Sequence, residues 1–240
     1  MGSNHKVRVD EYADALTGKS AEEILKWAAE SFPEGKAAFA TSLGLEDQII
    51  TDMIARTAPG IPVFTLDTGR LFQETYDLIE ETSRRYKIEI EVLFPDRNEI
   101  ESMVKEHGPN LFYYSVENRK LCCRLRKVHP LRRRLSDLDA WICGLRREQS
   151  VTRTDVRPVE YDGANGLVKI NPLVDWTEDR MHAYIRENSV PYNRLHDQGY
   201  PSIGCRPCTR AVKEGEDVRA GRWWWENPDS RECGLHPREK

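Results

Sequence analysis

The sequence lacks the features that mark membrane and exported proteins. No stretch approaches the roughly 18 consecutive apolar residues of a membrane-spanning helix. The N-terminus, Met-Gly-Ser-Asn-His-Lys, leads into a charged segment without the apolar core of a signal peptide, so we expect a cytoplasmic protein. Acidic residues outnumber basic ones, 40 against 36, and the net charge of −4 gives no general basic surface for nucleic acid.

Internal repeats and low-complexity linkers are also absent, and 240 residues are enough for one large domain with a functional tail. Short apolar runs alternate with amphipathic stretches in the first half, which is typical of α/β proteins with a mostly parallel sheet flanked by helices. We predict an α/β domain over residues 1–210 and a C-terminal tail over 211–240. Strands are expected at 36–41, 62–66, 88–94 and 140–143, with two short edge strands around the turn at 162–166. Helices are expected at 20–32, from 46, at 72–86, at 98–107 and at 177–188. One more helix is expected through the double cysteine, and Pro130 kinks or restarts it.

Three polar or glycine-bearing loops follow predicted strands. They begin at Ser42, Asp67 and Gly144. Because open α/β sheets bind ligands at the carboxyl ends of their parallel strands, we expect these loops to converge on one crevice.

The six cysteines are the most informative residues. Cys122 and Cys123 are adjacent, and Cys205 and Cys208 form a Cys-x-x-Cys pair far along the chain. Four thiolates can hold a 4Fe–4S cluster or a tetrahedral zinc ion. Structural zinc sites usually space their ligands two to four residues apart, so the adjacent pair favours the iron–sulfur cluster and leaves zinc as the alternative.

The other two cysteines have different settings. Cys143 ends the apolar run Ala-Trp-Ile-Cys and is predicted to be a buried, unreactive strand residue. Cys233 lies in a polar tail between Arg231 and His236, where positive charge lowers a thiol pKa and favours the nucleophilic thiolate.

Several motifs over most of the chain, from about residue 37 to 236, carry a resemblance to a known family. They are Thr65-Leu-Asp67-Thr68-Gly69-Arg70, Cys122-Cys123-Arg-Leu-Arg-Lys127, Gly144-Leu-Arg146-Arg147-Glu-Gln149-Ser150, Cys205-x-x-Cys208, Arg219-Ala-Gly-Arg222-Trp-Trp-Trp and Glu232-Cys233-Gly-Leu-His236. Together they resemble the assimilatory adenylyl-sulfate reductases of the phosphoadenylyl-sulfate reductase family, which implies an adenine-nucleotide alpha-hydrolase-like (Rossmann-like) fold.

The resemblance also implies an activity, a cofactor and a partner. The activity is thioredoxin-dependent reduction of adenosine 5′-phosphosulfate to sulfite and AMP, in sulfate assimilation and cysteine biosynthesis, with a glutaredoxin-like thiol donor as the alternative partner. Cys233 would attack the sulfate sulfur and carry it as S-sulfocysteine, with His236 and Lys127 as further catalytic residues. The implied cluster ligands are Cys122, Cys123, Cys205 and Cys208, and the implied substrate contacts are Ser42, Leu66, Gly144, Lys127, Arg153, Arg219 and Arg222.

These roles are chemically reasonable for a dianionic substrate. Fixed cations offset its repulsion of a thiolate, and Lys127, one helical turn beyond Cys123, is expected to lie between cluster and substrate. The loop Ser42-Leu43-Gly44-Leu45-Glu46-Asp47 departs from the Ser-Gly-Gly-x-Asp-Ser pattern of nucleotide-cleaving relatives. In the tail, two of the three tryptophans from Trp223 to Trp225 are expected to pack and one to be exposed.

Two alternatives stay open. One is a reductase of the 3′-phosphorylated substrate, or of both substrates, and the other is a zinc-stabilised nucleotide-binding protein without turnover. The glycines of the tail predict mobility, which suits a nucleophile that meets first substrate and then thioredoxin. Self-association into a homo-oligomer is also possible.

Overall fold

Six strands form one mostly parallel sheet in this computed structural model, which describes residues 2–149 and 156–227. The strands are β1 (Ala37–Thr41), β2 (Val63–Leu66), β3 (Ile90–Leu93), β4 (Ala140–Ile142), β5 (Val159–Asp162) and β6 (Leu167–Ile170), in the spatial order β3-β2-β1-β4-β6-β5. β1 pairs in parallel with β2 and β4, β4 pairs in parallel with β6, and β5 runs antiparallel to β6. The predicted fold class is therefore confirmed.

The helices are α1 (Gly2–Leu16), α2 (Ala21–Ser31), α3 (Leu45–Thr57), α4 (Gln73–Tyr86), α5 (Arg97–His107), α6 (Val116–Cys123), α7 (His129–Leu135) and α8 (Glu178–Asn188). α2 begins with the predicted capping box, in which Ser20 and Glu23 bond each other's backbone N–H groups. No helix in the described ranges is long and apolar enough to cross a bilayer.

The chain forms two compact units, and each unit consists of three segments that alternate along the sequence with those of the other. The first unit comprises Met1–Thr65, Leu78–Glu91 and Leu135–Tyr192, and the second comprises Leu66–Asp77, Val92–Arg134 and Asn193–Lys240. The core of the first unit is built from buried aliphatic side chains of its strands and of α1, α2, α3 and α8. A smaller core in the second unit includes Met103, Leu111, Phe112 and Trp223 together with cysteines. The sequence-based boundary at residue 210 stays a prediction.

Two local predictions need correction. Of the two strands predicted at the sheet edge, β5 is an edge strand, whereas β6 is an interior strand between β4 and β5 whose apolar residues Leu167, Val168 and Ile170 are buried. The chain after the double cysteine is not one α-helix, since Arg124–Val128 forms a π-helix before α7 restarts at His129, beside Pro130.

Candidate active site

The four predicted ligand cysteines line one cavity in the second unit. Cys122 and Cys123 end α6, which begins where the Ser115 hydroxyl accepts a hydrogen bond from the Asn118 N–H. Cys205 and Cys208 flank Pro207 in a 3-10 helix, Arg206–Cys208. The cavity wall consists of Arg70, Phe112, Arg119, Cys122, Cys123, Arg126, Lys127, Cys205, Pro207, Cys208, Arg222 and Trp223. Folding thus brings together two cysteine pairs that are far apart in sequence.

The Cys205 loop is anchored by the chain that follows β2. The Thr68 hydroxyl lies 3.2 Å from the Cys205 sulfur, and the Arg206 N–H donates to the Arg70 carbonyl at 2.8 Å. Gly69 adopts a left-handed φ of 69°, which a residue with a side chain rarely adopts. The turn at Gly69 therefore helps to set the position of one cysteine pair.

Protonation of the buried thiols depends on their surroundings. Burial raises the pKa of Cys122, and burial together with the neighbouring Cys205 and Cys123 raises the pKa of Cys208 to about 12. A bound metal centre deprotonates coordinating thiols because its charge stabilises the thiolates. Four thiols lining one cavity next to cationic side chains therefore fit a multi-iron cluster as ligands.

Within residues 2–149 and 156–227, no group of three or more His, Cys, Asp or Glu side chains is arranged to hold a metal ion. The identity of the bound group therefore stays a prediction from the cysteine pattern and the family resemblance.

Two cations from the π-helix line the cavity. Lys127 is in the cavity wall, and the segment that carries it is a π-helix and not the α-helical turn expected. Its neighbour Arg126 is buried and donates to the Thr68 carbonyl at 2.7 Å. π-Helical turns often occur at functional sites. Arg126 lies within the motif Cys122-Cys123-Arg-Leu-Arg-Lys127, but the sequence analysis did not assign it to the site.

Of the two arginines predicted to bind substrate in the C-terminal segment, one lies in the wall. Arg222 is buried there, and its guanidinium packs so closely on Gly204 that a Cβ at that position would lie 2.2 Å from Nη2. Arg219 is half-buried and is not among the wall residues. The Arg222 N–H donates to the Arg219 carbonyl at 2.9 Å, so one turn of backbone joins the two residues.

The first unit holds a second cluster of predicted residues. Asp47 is buried and accepts hydrogen bonds from the Ser42 N–H at 2.5 Å and the Ser42 hydroxyl at 2.6 Å. Burial raises the Asp47 pKa to about 6, the hydrogen bonds from Ser42 and the Gly144 N–H oppose this rise, and nearby Glu46 adds to it. A Cβ at Gly144 would be 2.3 Å from Asp47 Oδ1, so the glycine is required for this close approach.

The structure therefore joins Ser42 and Gly144 through Asp47, a residue that sequence reasoning did not assign to the site. The predicted convergence of the β1 and β4 loops agrees with their parallel pairing. Leu66, the third residue predicted to hold nucleotide, ends β2 and belongs to the second unit.

Three predicted residues, Arg153, Cys233 and His236, lie outside the described residues.

Cys143 is buried just after β4 and its thiol donates to Asn171 Oδ1 at 3.2 Å, which confirms that it is a buried residue. In the tryptophan run, Trp223 is 2% exposed and Trp224 38%, while Trp225 is intermediate. The expectation of one exposed ring is confirmed.

Comparison with known proteins identifies the family. Residues 36–211 match the family described as phosphoadenosine phosphosulfate reductase domain. A protein named adenosine 5′-phosphosulfate reductase from Allochromatium vinosum is 57% identical over 201 residues, covering 84% of this chain and 78% of that protein. A protein of the same name from Burkholderia cepacia is 53% identical, with 84% and 80% coverage.

Solved structures agree on the fold. A phosphoadenylyl-sulfate reductase from Candida auris, solved as a phosphate complex, superimposes with a TM-score of 0.73 at 33% identity, covering 85% of this chain and 96% of that one. An FMN adenylyltransferase from Candida glabrata, at 20% identity and TM-score 0.51 over 85% of this chain and 69% of its own, shares the fold alone. By its match over most of its length, the chain belongs to the phosphoadenosine phosphosulfate reductase family.

Proposed function

We propose that the protein reduces adenosine 5′-phosphosulfate to sulfite and AMP in assimilatory sulfate reduction. Relatives 52–57% identical to this chain carry the name of that reductase. The observation that carries the proposal is the single cavity in which two distant cysteine pairs meet Lys127 and Arg222. Cysteine ligands beside fixed cations suit a cluster-containing enzyme that stabilises a dianionic substrate.

The cavity is proposed to hold a 4Fe–4S cluster on Cys122, Cys123, Cys205 and Cys208. When bound, the cluster would supply structural support and local charge, while thiols supply the electrons. The support for this assignment is the shared cavity and the hydroxyl of Thr68 beside Cys205. The substrate is then proposed to be bound by residues of the chain and not by the cluster.

For the phosphosulfate we propose Lys127, Arg219 and Arg222 as contacts, together with Arg153 and His236 from outside the described residues. Arg can grip an anion with two parallel N–H donors, whereas Lys acts as a point charge. Ser42, Leu66 and Gly144 are proposed to hold the nucleotide. Asp47 supports two of these residues by hydrogen bonds with their backbone N–H groups and with the Ser42 hydroxyl.

The proposed reaction first transfers the sulfur to the enzyme and then releases it as sulfite. The Cys233 thiolate attacks the sulfate sulfur, a sulfur–sulfur bond forms, the bond to the phosphate oxygen breaks, and AMP leaves. One thiol of a thioredoxin-type dithiol then attacks Cys233 sulfur and expels sulfite. The second thiol resolves the mixed disulfide, so the dithiol loses two electrons and the sulfonucleotide sulfur gains them.

The second candidate is reduction of the 3′-phosphorylated substrate. The Candida auris protein, named phosphoadenylyl-sulfate reductase, supports this candidate, although its identity of 33% is lower than the 57% of the Allochromatium vinosum relative. Initial rates on adenosine 5′-phosphosulfate and on its 3′-phosphorylated analogue, measured side by side with a thioredoxin, separate the two. We expect a marked preference for the first substrate, and equal rates or the reverse preference would contradict the proposal.

A spectrum tests the cofactor. A 4Fe–4S protein is brown with broad absorbance near ~400 nm, whereas zinc bound to four cysteines is colourless. We expect the colour, four iron atoms per chain and their loss in a Cys205→Ser variant. A colourless protein with one zinc would favour the non-catalytic alternative. The cytoplasmic location and self-association stay predictions.

A further inference from the structure

Among the described residues of the second unit, Arg119 is the most completely buried charged one, and no substrate or cofactor role is assigned to it. Its side chain is 0% exposed, and it forms a two-pronged ion pair with Glu226, itself 3% exposed. Arg119 Nε lies 3.0 Å from one carboxylate oxygen and its Nη2 2.8 Å from the other. Removing one partner of such a pair leaves a buried charge uncompensated, so the pair holds its two chain segments firmly together.

The same guanidinium reaches the cysteine helix and the tryptophan run. Arg119 is one turn before Cys123 on α6 and hydrogen-bonds its side chain. Its Cζ also lies 4.7 Å from the centroid of the Trp223 ring, a cation–π distance. Arg119 therefore contacts a predicted cluster ligand and two residues of the C-terminal segment.

Arg222 is held in the same arrangement. Its Cζ lies 4.7 Å from the Trp223 ring centroid, and the Trp223 N–H donates to the Cys208 carbonyl at 3.1 Å. Trp223 has a φ of 44°, in the left-handed region that non-glycine residues adopt only when their surroundings hold them there. The Glu226 N–H donates to the Trp223 carbonyl at 2.8 Å, so the ion pair at Glu226 fixes the turn that contains Trp223.

We propose that Arg119 is a positioning residue for sulfonucleotide reduction: through Glu226 and Trp223 it holds the segment Arg222–Glu226 on the cysteine helix and thereby fixes Arg222 in the cavity wall. This inference rests on the proposed function for the part of Arg222 in substrate binding. The structural part, that Arg119 holds the segment Arg222–Glu226 on the cysteine helix, does not depend on that function. The structural part and the catalytic part are therefore tested separately.

Limited proteolysis tests whether the ion pair holds the segment Arg222–Glu226 in place. The Arg222–Trp223 bond is a trypsin site, and in the wild-type protein both residues are buried. We expect Glu226→Gln and Arg119→Lys to increase the rate of cleavage at this bond at least tenfold, measured by mass spectrometry well below the melting temperature. Arg119→Lys keeps the charge and loses the two-pronged geometry, which provides a second variant if the first folds poorly.

A control for the loss of one ion-paired carboxylate is available in the same unit. Arg97 Nε donates to Glu101 Oε1 at 2.7 Å on α5, and neither residue lines the cavity. The Glu101→Gln variant should be cleaved at the Arg222–Trp223 bond at the wild-type rate. Equal cleavage in all variants, or an equal increase in the Glu101→Gln control, would overturn the proposal that the ion pair holds this segment.

Kinetics test the consequence for the reaction. If Arg119 acts through Arg222, Glu226→Gln should lower kcat/KM for adenosine 5′-phosphosulfate at least tenfold in the wild-type background and less than twofold in an Arg222→Ala background. Equal losses in both backgrounds would show an independent structural effect and overturn the proposal. If Cys233→Ser retained turnover, the proposed function would fail, while the cleavage result would still decide the structural part.

Discussion

Asp47 should make the stability of the first unit depend on pH in a direction opposite to that of an ordinary paired carboxylate. Its pKa rises from 3.8 to about 6, chiefly because it is buried. The folded protein therefore binds this proton more tightly than the unfolded chain does. The stabilisation is complete below pH 3.8 and is lost as the pH rises through 6. The raised pKa changes the free energy of unfolding by about 3 kcal/mol over this pH range, at about 1.4 kcal/mol per pH unit.

Urea unfolding of the wild type and of Asp47→Asn isolates this effect, because the other titrating groups cancel in the comparison. The free energy of unfolding of the wild type minus that of Asp47→Asn should fall by about 2–3 kcal/mol between about pH 4 and about pH 8. Asp137→Asn, at an exposed position in the same unit, serves as the control for the loss of one carboxyl. A difference that is constant with pH, or that grows towards pH 8, would refute the reasoning.

Three substitutions test other parts of the account. Gly204→Ala should displace the Arg222 guanidinium, which lies 2.2 Å from the new Cβ, and lower kcat/KM about 10–100-fold in initial-rate assays while the melting temperature stays close to that of the wild type. Lys127→Ala should remove about 2–4 kcal/mol of transition-state stabilisation in the same assay, and an unchanged rate would exclude Lys127 from the site. Cys143→Ala should leave sulfite formation unchanged and lower the free energy of unfolding by about 1–2 kcal/mol in urea titrations, because a buried thiol and its hydrogen bond to Asn171 are lost.

The fold was largely predictable because its signals are local. The apolar runs of β1 and β4 and the capping box of α2 depend on residues close in sequence, and these elements occur where they were expected. α1 gave no comparable signal, because its sequence carries no strong apolar face. The place of β6 in the sheet depends on its pairing with β4, which is set by distant parts of the chain.

The candidate site was predictable only where the spacing of residues in the sequence indicates it. The adjacent cysteines and the Cys-x-x-Cys pair indicated a common site, and all four cysteines line one cavity in the structure. The expectation that one α-helical turn separates Lys127 from Cys123 is wrong, since Lys127 lies in a π-helix. The contributions of Arg126 and Arg119 depend on partners far along the chain, at Thr68 and Glu226, and no local pattern reveals such pairs.

Asp47 shows a further limit of sequence reasoning. The loop was noted because it departs from the pattern of nucleotide-cleaving relatives, with Glu46 and Asp47 as additional acids. The structure uses the second acid as a buried acceptor that joins Ser42 to Gly144. Whether an acidic residue faces solvent or joins two loops is decided by the packing of β1 against β4, which the loop sequence does not contain.

The central claim is that Cys233 carries the sulfur of the substrate between the two steps. The most direct test is a single turnover with adenosine 5′-phosphosulfate in the absence of any thiol donor, followed by mass mapping of the cysteine peptides. We expect one equivalent of AMP and a sulfonate on Cys233, which thioredoxin then releases as sulfite. Formation of AMP and sulfite by the Cys233→Ser variant, or a sulfonate on another cysteine, would contradict it.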